Sequence, residues 1–551
     1  MTRANASDLW WKNAVVYCLD VETFLDWDGN GIGDINGLVE RIDYLAGIGI
    51  SCIWLMPFQP SPNRDDGYDV ADYYAIDPRL GTLGDFVVLL RTCRDRGVRV
   101  IIDLVVNHTS DQHPWFKEAR RSPTSRFRDF YVWRDTPPRT KKSDIVFPDA
   151  EDTIWSYDER AKQWYLHHFY RHQPDLNIAN PEVREEIKRI AGFWLELGVD
   201  GFRVDAVPFL VESGDRGVES HQLFKELRAF ITRRRGDAVL LGEVNLLPKQ
   251  LGSYFGHEPG DELQMLFCFP VMQAMYLSLA RHDAKPVIRA LRSLPKVPTE
   301  GQWAHFVRNH DELTLDKLTD KQREEVFAAF GPDPDMQLFD RGLRRRLPSM
   351  LDGDERRLRL VYSLLLTLPG TPVLFYGEEI GMAENLDIPG RMSVRTPMQW
   401  TDQRNGGFSP VAPSKLVRPL PEGRFGPLAV NVAAQRRDPD SLLNWFERMI
   451  RRRRETAELG MGELRILETG DDAVLAHCVE LDGVSIVAVH NLSDEPRTVR
   501  VQLGDTRRRE LTDLLEGDTV PGVVKGRLDL KLDAYGYRWF RLQPDDLRTA
   551  P

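Results

Sequence analysis

An excess of basic charge, a paired set of cysteines and a long unbroken apolar run are all missing from this 551-residue chain. A net charge of -11 leaves no basic face for a nucleic acid. The five cysteines, Cys18, Cys52, Cys93, Cys268 and Cys478, are odd in number and include no CxxC pair. They read as free thiols of a reducing compartment, not as a disulfide framework. The opening residues, MTRANASDLWWKN, hold no apolar segment of the kind a signal peptide needs. The most apolar stretch, Leu360 to Tyr376, is interrupted by Pro369, Gly370 and Pro372. It suits a buried helix followed by a buried strand better than a membrane span. There is no internal repeat and no low-complexity tract. Together these absences predict a cytoplasmic globular protein with neither nucleic acid nor membrane as partner; self-association is left open.

What is present is the ordinary apolar and charged balance of a folded protein, in a chain long enough for one large domain and an accessory one. Thirteen Trp and fifteen Tyr could stack on sugar rings, although core filling is their commoner use. Eight short apolar runs predict strands: Val15–Leu19, Cys52–Leu55, Val98–Val105, Gly201–Val204, Val239–Leu241, Met265–Phe269, Ala304–Val307 and Pro372–Phe375. Between them lie amphipathic stretches such as Gly37–Ala46, Leu83–Arg96, Pro181–Leu197 and His221–Arg234. Strand–helix alternation of this kind implies parallel strands and right-handed crossovers, hence an α/β (β/α)8 TIM barrel. Residues 1–107 and 176–459 are assigned to the barrel. Residues 108–175, aromatic and charged without clean periodicity, form an inserted subdomain after strand 3. A second irregular stretch, Glu384 to Arg418, follows the eighth strand. From 460 to 551 short alternating segments such as AVLAHCVEL and SIVAVHNL predict a small C-terminal antiparallel β-sandwich.

In such a barrel the chemistry sits where strands end. Strand three ends DLVVNH, with Asp103, Asn107 and His108; strand four ends GFRVDA, with Arg203 and Asp205. Strand five ends GEVN, with Glu243; strand seven ends RNHDE, with His310 and Asp311. Any one acid is as well explained by a solvated loop, but acids at several strand ends of one rim point to a catalytic cluster. Clustered carboxylates suit glycoside cleavage, where one acid protonates the leaving oxygen and a carboxylate meets the oxocarbenium-like carbon. Arg203, two residues before Asp205, would point to the same side and keep that carboxylate ionised. Glu243 follows an apolar strand, which would raise it toward an acid's working range.

These stretches, in this order, resemble the α-amylase family of glycoside hydrolases (family 13); QPDLN, DDGYDVADYY and RTPMQW extend the match across the barrel. The resemblance implies Asp205 as nucleophile, Glu243 as general acid/base and Asp311 as the stabilising carboxylate. It implies His108, Arg203 and His310 as donors to the glucose hydroxyls. Within the family the likeness is strongest to the branch that interconverts maltose and trehalose by intramolecular glucosyl transfer (maltose α-D-glucosyltransferase). There Asp65 and Arg395 would hold the terminal glucose and Tyr68 would stack on it. The partner implied is a small α-glucoside such as maltose or trehalose. The alternative is an α-glucosidase, in which water takes the glucosyl group. The first strand, VNLLPKQ after the acid, and ENLDIPGRMS before VRTPMQW depart from the usual pattern and concern the acceptor side. A non-catalytic relative would have lost the carboxylates that are present here, and a sugar-binding module would need no such cluster.

The segment DWDGNGIGD, residues 26–34, opens like an EF-hand, but position twelve is Gly37 where a bidentate Glu belongs. Asp26, Asp28, Asn30, the Ile32 carbonyl and Asp34 remain as a hard oxygen set for Ca2+, with Mg2+ the alternative ion; the mutual repulsion of close unpaired carboxylates favours a bound ion over the alternative, an ion-free Asx-rich turn. The family carries a structural metal in this loop. Asn107 and Asp175, with Glu212 and the Phe209 and Leu210 carbonyls, match a second Ca2+ site of the family, though Asn107 could equally cap a loop. No organic cofactor is expected.

Overall fold

The first of the apolar runs becomes strand β1, Val16–Leu19, and all four of its residues are buried. Seven more follow: β2 Cys52–Leu55, β3 Arg99–Leu104, β4 Gly201–Val204, β5 Val239–Gly242, β6 Met265–Phe267, β7 Gln302–Phe306 and β8 Thr371–Phe375. In this computed structural model, which describes residues 9–212, 221–504, 509–515 and 523–544, the eight pair in parallel and in sequence order. β1 meets β8 in the register Val16↔Val373, which closes the barrel. Strands buried on both faces are continuous apolar runs because helices cover the outside. Each fully buried aliphatic side chain contributes about 1.5–3 kcal/mol.

The outer helices include α1 Ile35–Gly47, α2 Leu83–Asp95, α3 Pro181–Leu197, α4 Gln222–Arg234, α5 Phe269–Arg281, α6 Asp320–Phe330, α7 Glu355–Thr367 and α8 Leu442–Arg454. Their starts are written locally. Asp34 caps α1 by accepting from Gly37 N, Thr82 and Asp85 form a capping box on α2, and Asn180 with Pro181 opens α3.

Between β3 and α3 the chain leaves the barrel, and an antiparallel bridge between His108 and Asp175 marks where it departs and returns. The excursion holds a three-stranded antiparallel sheet, 133–134, 163–166 and 155–158. Beyond α8 the chain turns to β structure, a five-stranded and a two-stranded sheet enclosing a core of Val487, Val499, Leu530, Phe540 and their neighbours. The strand Arg527–Leu532 alternates charged and apolar residues strictly, RLDLKL, with Leu528, Leu530 and Leu532 turned inward, and Arg509–Asp513 is the more polar edge of the larger sheet. This region is fastened to α7: Trp539 Nε1 donates to Ser363 Oγ at 2.8 Å, and His477 Nε2 lies 3.0 Å from the Thr367 carbonyl. All five cysteines are buried, and none is in a disulfide. Among the described residues no helix is long and apolar enough to cross a membrane.

Candidate active site

β4 and β5 end side by side, and the ladder between strands continues one residue past each. Asp205 N donates to the Leu104 carbonyl at 3.3 Å and Glu243 N to the Val204 carbonyl at 3.1 Å. The two acids therefore leave the barrel on backbone that neighbouring strands still hold. Arg203, on β4, joins them: one terminal nitrogen lies 2.6 Å from Asp205 Oδ1 and the other 2.8 Å from Glu243 Oε2. The first nitrogen also donates to Asp103 Oδ1 from β3, whose Oδ2 accepts from Trp54 Nε1 at 2.8 Å. Ala206 adopts a left-handed backbone, φ 50°, and its N–H donates to Glu243 Oε2 at 3.2 Å. That conformation costs of order 1–3 kcal/mol in a non-glycine residue and survives only where surroundings enforce it.

Asp311 belongs to a second charge cluster. Its Oδ1 accepts from Arg391 at 2.6 Å and Arg395 at 3.0 Å, and its Oδ2 lies 3.1 Å from His310 Nε2. Arg391 also reaches Asp65 at 2.8 Å, and Gln173 donates to the other Asp65 oxygen. Tyr68 places its hydroxyl 2.7 Å from His310 Nε2, with the two rings stacked at 5.4 Å. His108 Nε2 lies 3.1 Å from the Tyr68 carbonyl.

The electrostatics separate the three acids. Burial raises Asp205 to about 6, against the opposing pull of Arg203. Burial raises Glu243 to about 7, again against Arg203 and with the Asp205 charge adding to the rise. Arg203 does favour the ionised form of Asp205, as its place on the strand led one to expect, but desolvation outweighs the cation in the net shift. Burial also acts on Asp311, but the hydrogen bond from His310 and the charges of Arg391 and Arg395 overcome it and hold that carboxyl well below its ordinary range. His310 is lowered to about 4 by burial and is neutral at working pH. Between pH ~6 and ~7, then, Asp205 and Asp311 are charged while Glu243 holds a proton.

Asp65, Tyr68, His108, Asp205, Glu243 and Asp311 all line one cavity of about 690 Å³, within the range of small-ligand sites. Arg203, His310 and Arg395 stand behind it, each almost wholly buried. For all three this differs from the expected contact with glucose, and for Arg395 the partners say why. Its three nitrogens go to Asp66, Asp311 and the His310 carbonyl, and Arg391, four residues earlier, faces the cavity and pairs with Asp65. Sequence reasoning passed over Arg391, and also Phe147. Phe147 lies under the Arg391 guanidinium at 4.9 Å, stacks on Tyr170 at 4.5 Å and meets Phe339 at 5.2 Å. Arg391 was visible as a second arginine beside VRTP; Phe147 had no signal in the aperiodic insertion.

In the loop after β1 the Asp26, Asp28 and Asp34 carboxylates each offer an oxygen within 4.8 Å of one another. Asn30 sits among them, its Nδ2 donating to Asp28 and its Oδ1 accepting from Ile32 N. Backbone N–H groups of Gly29, Gly31 and Trp27 also turn toward the acids. The donors are all oxygen, which fits a hard divalent cation. Gly37 could not be the bidentate Glu of an EF-hand, because a Cβ there would stand 2.0 Å from the Leu25 carbonyl. At the base of the insertion, Asn107 Nδ2 donates to Asp175 Oδ1 at 3.3 Å while its own buried Oδ1 has no partner. That unpartnered oxygen fits a cation, although His168 already engages both Asp175 oxygens. Phe209 and Leu210 lie on the short helix Val207–Glu212 that follows Asp205; the Glu212 side chain is outside the described residues.

Known proteins resemble this chain along most of its length. A family model described as the α-amylase catalytic domain matches residues 20–329 and 342–462, and one described as the sucrose hydrolase-like C-terminal domain matches 483–541. The chain is 42% identical to a trehalose synthase of Pimelobacter sp. (strain R48), covering 98% of this chain and 97% of that protein. It is 40% identical to a trehalose synthase/amylase of Mycobacterium tuberculosis, covering 99% and 92%. The crystal structure of an α-amylase from H. orenii superposes with a TM-score of 0.77 at 28% identity, covering 96% of this chain and 99% of that one. The catalytic model matches most of the chain, and the relatives align along nearly all of it: the protein belongs to the α-amylase family.

Proposed function

We propose that the protein interconverts maltose and trehalose by intramolecular glucosyl transfer with net retention. The observation that carries this reading is the pairing of Asp205 and Glu243 on one guanidinium, with Glu243 the more basic of the two, inside a walled cavity. In the first step Asp205 attacks C1 of the non-reducing glucose, the C1–O4 bond breaks, and Glu243 gives its proton to O4. Asp311 stays anionic beside the charge that develops on the ring. Asp65 and Arg391 hold the far end of that ring, and Tyr68 and His108 wall it. The freed glucose turns within the cavity and presents its anomeric hydroxyl. Glu243 takes that proton, O1 attacks C1, and the bond to Asp205 breaks. Transfer prevails over hydrolysis as long as the cavity keeps water from C1. Nearly full-length relatives named trehalose synthase support this assignment.

A structural Ca2+ in the 26–34 loop, held by Asp26, Asp28, Asn30, the Ile32 carbonyl and Asp34, completes the reading. Bound there, it would supply charge neutralisation; Asp34 itself ties the loop to α1, accepting from Gly37 N with one oxygen and from Trp27 N with the other. Maltose incubated with the pure protein and followed by proton NMR should yield trehalose. Glucose with no trehalose signal would assign the chain to α-glucoside hydrolysis instead.

A further inference from the structure

The irregular stretch after β8 ends at Arg418, a buried side chain outside the cavity wall. Three acids from distant parts of the chain converge on it. Asp20, Glu22 and Asp66 each bring an oxygen within 4.8 Å of one another. One terminal nitrogen of Arg418 reaches Asp20 Oδ2 at 3.1 Å; the other pairs with Asp66 Oδ1 and approaches Glu22 Oε2 at 3.6 Å. The far oxygen of Asp66 accepts from Arg395 at 2.6 Å, and Arg418 Nη1 donates to the Arg395 carbonyl at 3.2 Å. Arg395 is thereby held through both its side chain and its backbone. It then reaches Asp311 Oδ1 at 3.0 Å. The result is an unbroken buried line: Arg418, Asp66, Arg395, Asp311. Its outer end is anchored on the loop after β1, where Val417 N donates to the Gly31 carbonyl at 2.9 Å and Ser409 Oγ donates to Asp26.

We infer that Arg418 is a positioning residue for the stabilising carboxylate Asp311, acting through Asp66 and Arg395. This rests on the role proposed for Asp311. The physical reason is charge balance. Without Arg418, Asp20 and Asp66 face each other while Arg79 stays on Glu22 at 2.7 Å; Arg395 is then the cation left between Asp66 and Asp311, and it is drawn toward Asp66 and off Asp311. Burial alone would raise Asp66, yet the two arginines hold it down at about 2, so this carboxylate is a charged anchor at every working pH. A misplacement of ~1 Å at a reacting centre costs ~10²-fold in rate.

The test is a double-mutant cycle on initial nitrophenol release from 4-nitrophenyl α-glucoside, with Arg418→Gln and Asp311→Asn. Arg418→Gln should lower kcat ~10- to 100-fold with KM within ~3-fold of the parent. In the Asp311→Asn background the same change should cost less than ~3-fold, because the residue it positions is already disabled. Arg418→Lys restores the charge but not the two-pronged donor and should recover part of kcat. Equal losses in both backgrounds, or a loss carried by KM, would overturn the inference while leaving Asp311's role intact. Full turnover in Asp311→Asn alone would remove that role, and the inference with it. Should Arg418→Gln fail to fold by circular dichroism, the cycle is run with Asp66→Asn, for which the same non-additivity is required.

Discussion

Glu243→Gln probes the acid, and its consequences can be worked from burial. A glutamate at its ordinary ~4.3 would be protonated in only ~1% of molecules at pH 6.5. With Glu243 raised to about 7 the protonated share at pH 6.5 is about three quarters. Asp205, at about 6, is ionised in about three quarters of molecules at that pH. The doubly competent form therefore peaks near pH ~6.5 and falls about sixfold by pH ~5 and again by pH ~8. The sign follows from the roles. Activity is lost on the acid side as Asp205 gains a proton and on the alkaline side as Glu243 loses one. Glu243→Gln should abolish the alkaline limb of kcat/KM and reduce turnover of maltose by ~10³-fold. For α-glucosyl fluoride, whose leaving group departs without a proton, kcat/KM should fall less than ~10-fold. The assay is fluoride release from the fluoride and trehalose formation from maltose, each across pH. Equal losses on both substrates, or an alkaline limb that persists in the variant, would refute the assignment of Glu243 and the burial argument behind it.

Asp205→Ala should lose at least ~10³-fold in turnover with an unchanged circular dichroism spectrum; an active variant would remove it as nucleophile. Arg391→Lys gives up the fork that spans Asp65 and Asp311 and should raise KM for maltose ~10-fold, measured by steady-state kinetics; an unchanged KM would place the sugar elsewhere. Phe147→Ala opens the seam between the insertion, Tyr170, Phe339 and Arg391, and should raise the glucose-to-trehalose product ratio by at least ~3-fold in NMR time courses. The same ratio as the parent would show that this ring does not exclude water. Chelation of Ca2+, or Asp26→Ala, should lower the calorimetric Tm by ~2–3 °C, as loss of a ligand bound at ~100 times its Kd does in a chain of this length. A Tm indifferent to both would argue that the 26–34 loop is an ion-free turn.

The barrel was readable because strands buried on both faces must be apolar throughout, and such runs stand out between amphipathic helices. The acids were readable for a related reason: a polar residue directly after an apolar run marks the rim, as with Asp205 after GFRV and Glu243 after VLLG. The sequence by itself determined which residue types were available at the rim, since strand alternation and strand ends depend on local order along the chain. What it could not decide was which arginine faces the cavity. Arg391 and Arg395 lie one short turn apart, and the choice depends on Ser393, whose hydroxyl donates to the Arg344 carbonyl, and on Asp66, which claims Arg395. Nor could it order the acidities, because burial is a property of the packed cavity and exceeds the charge of Arg203 that sequence spacing suggested. Local order supplied the chemical groups; only the tertiary structure, by bringing charges from distant segments into a dry interior where each interaction counts strongly, decided which group faces substrate, which supports it from behind and which holds the proton.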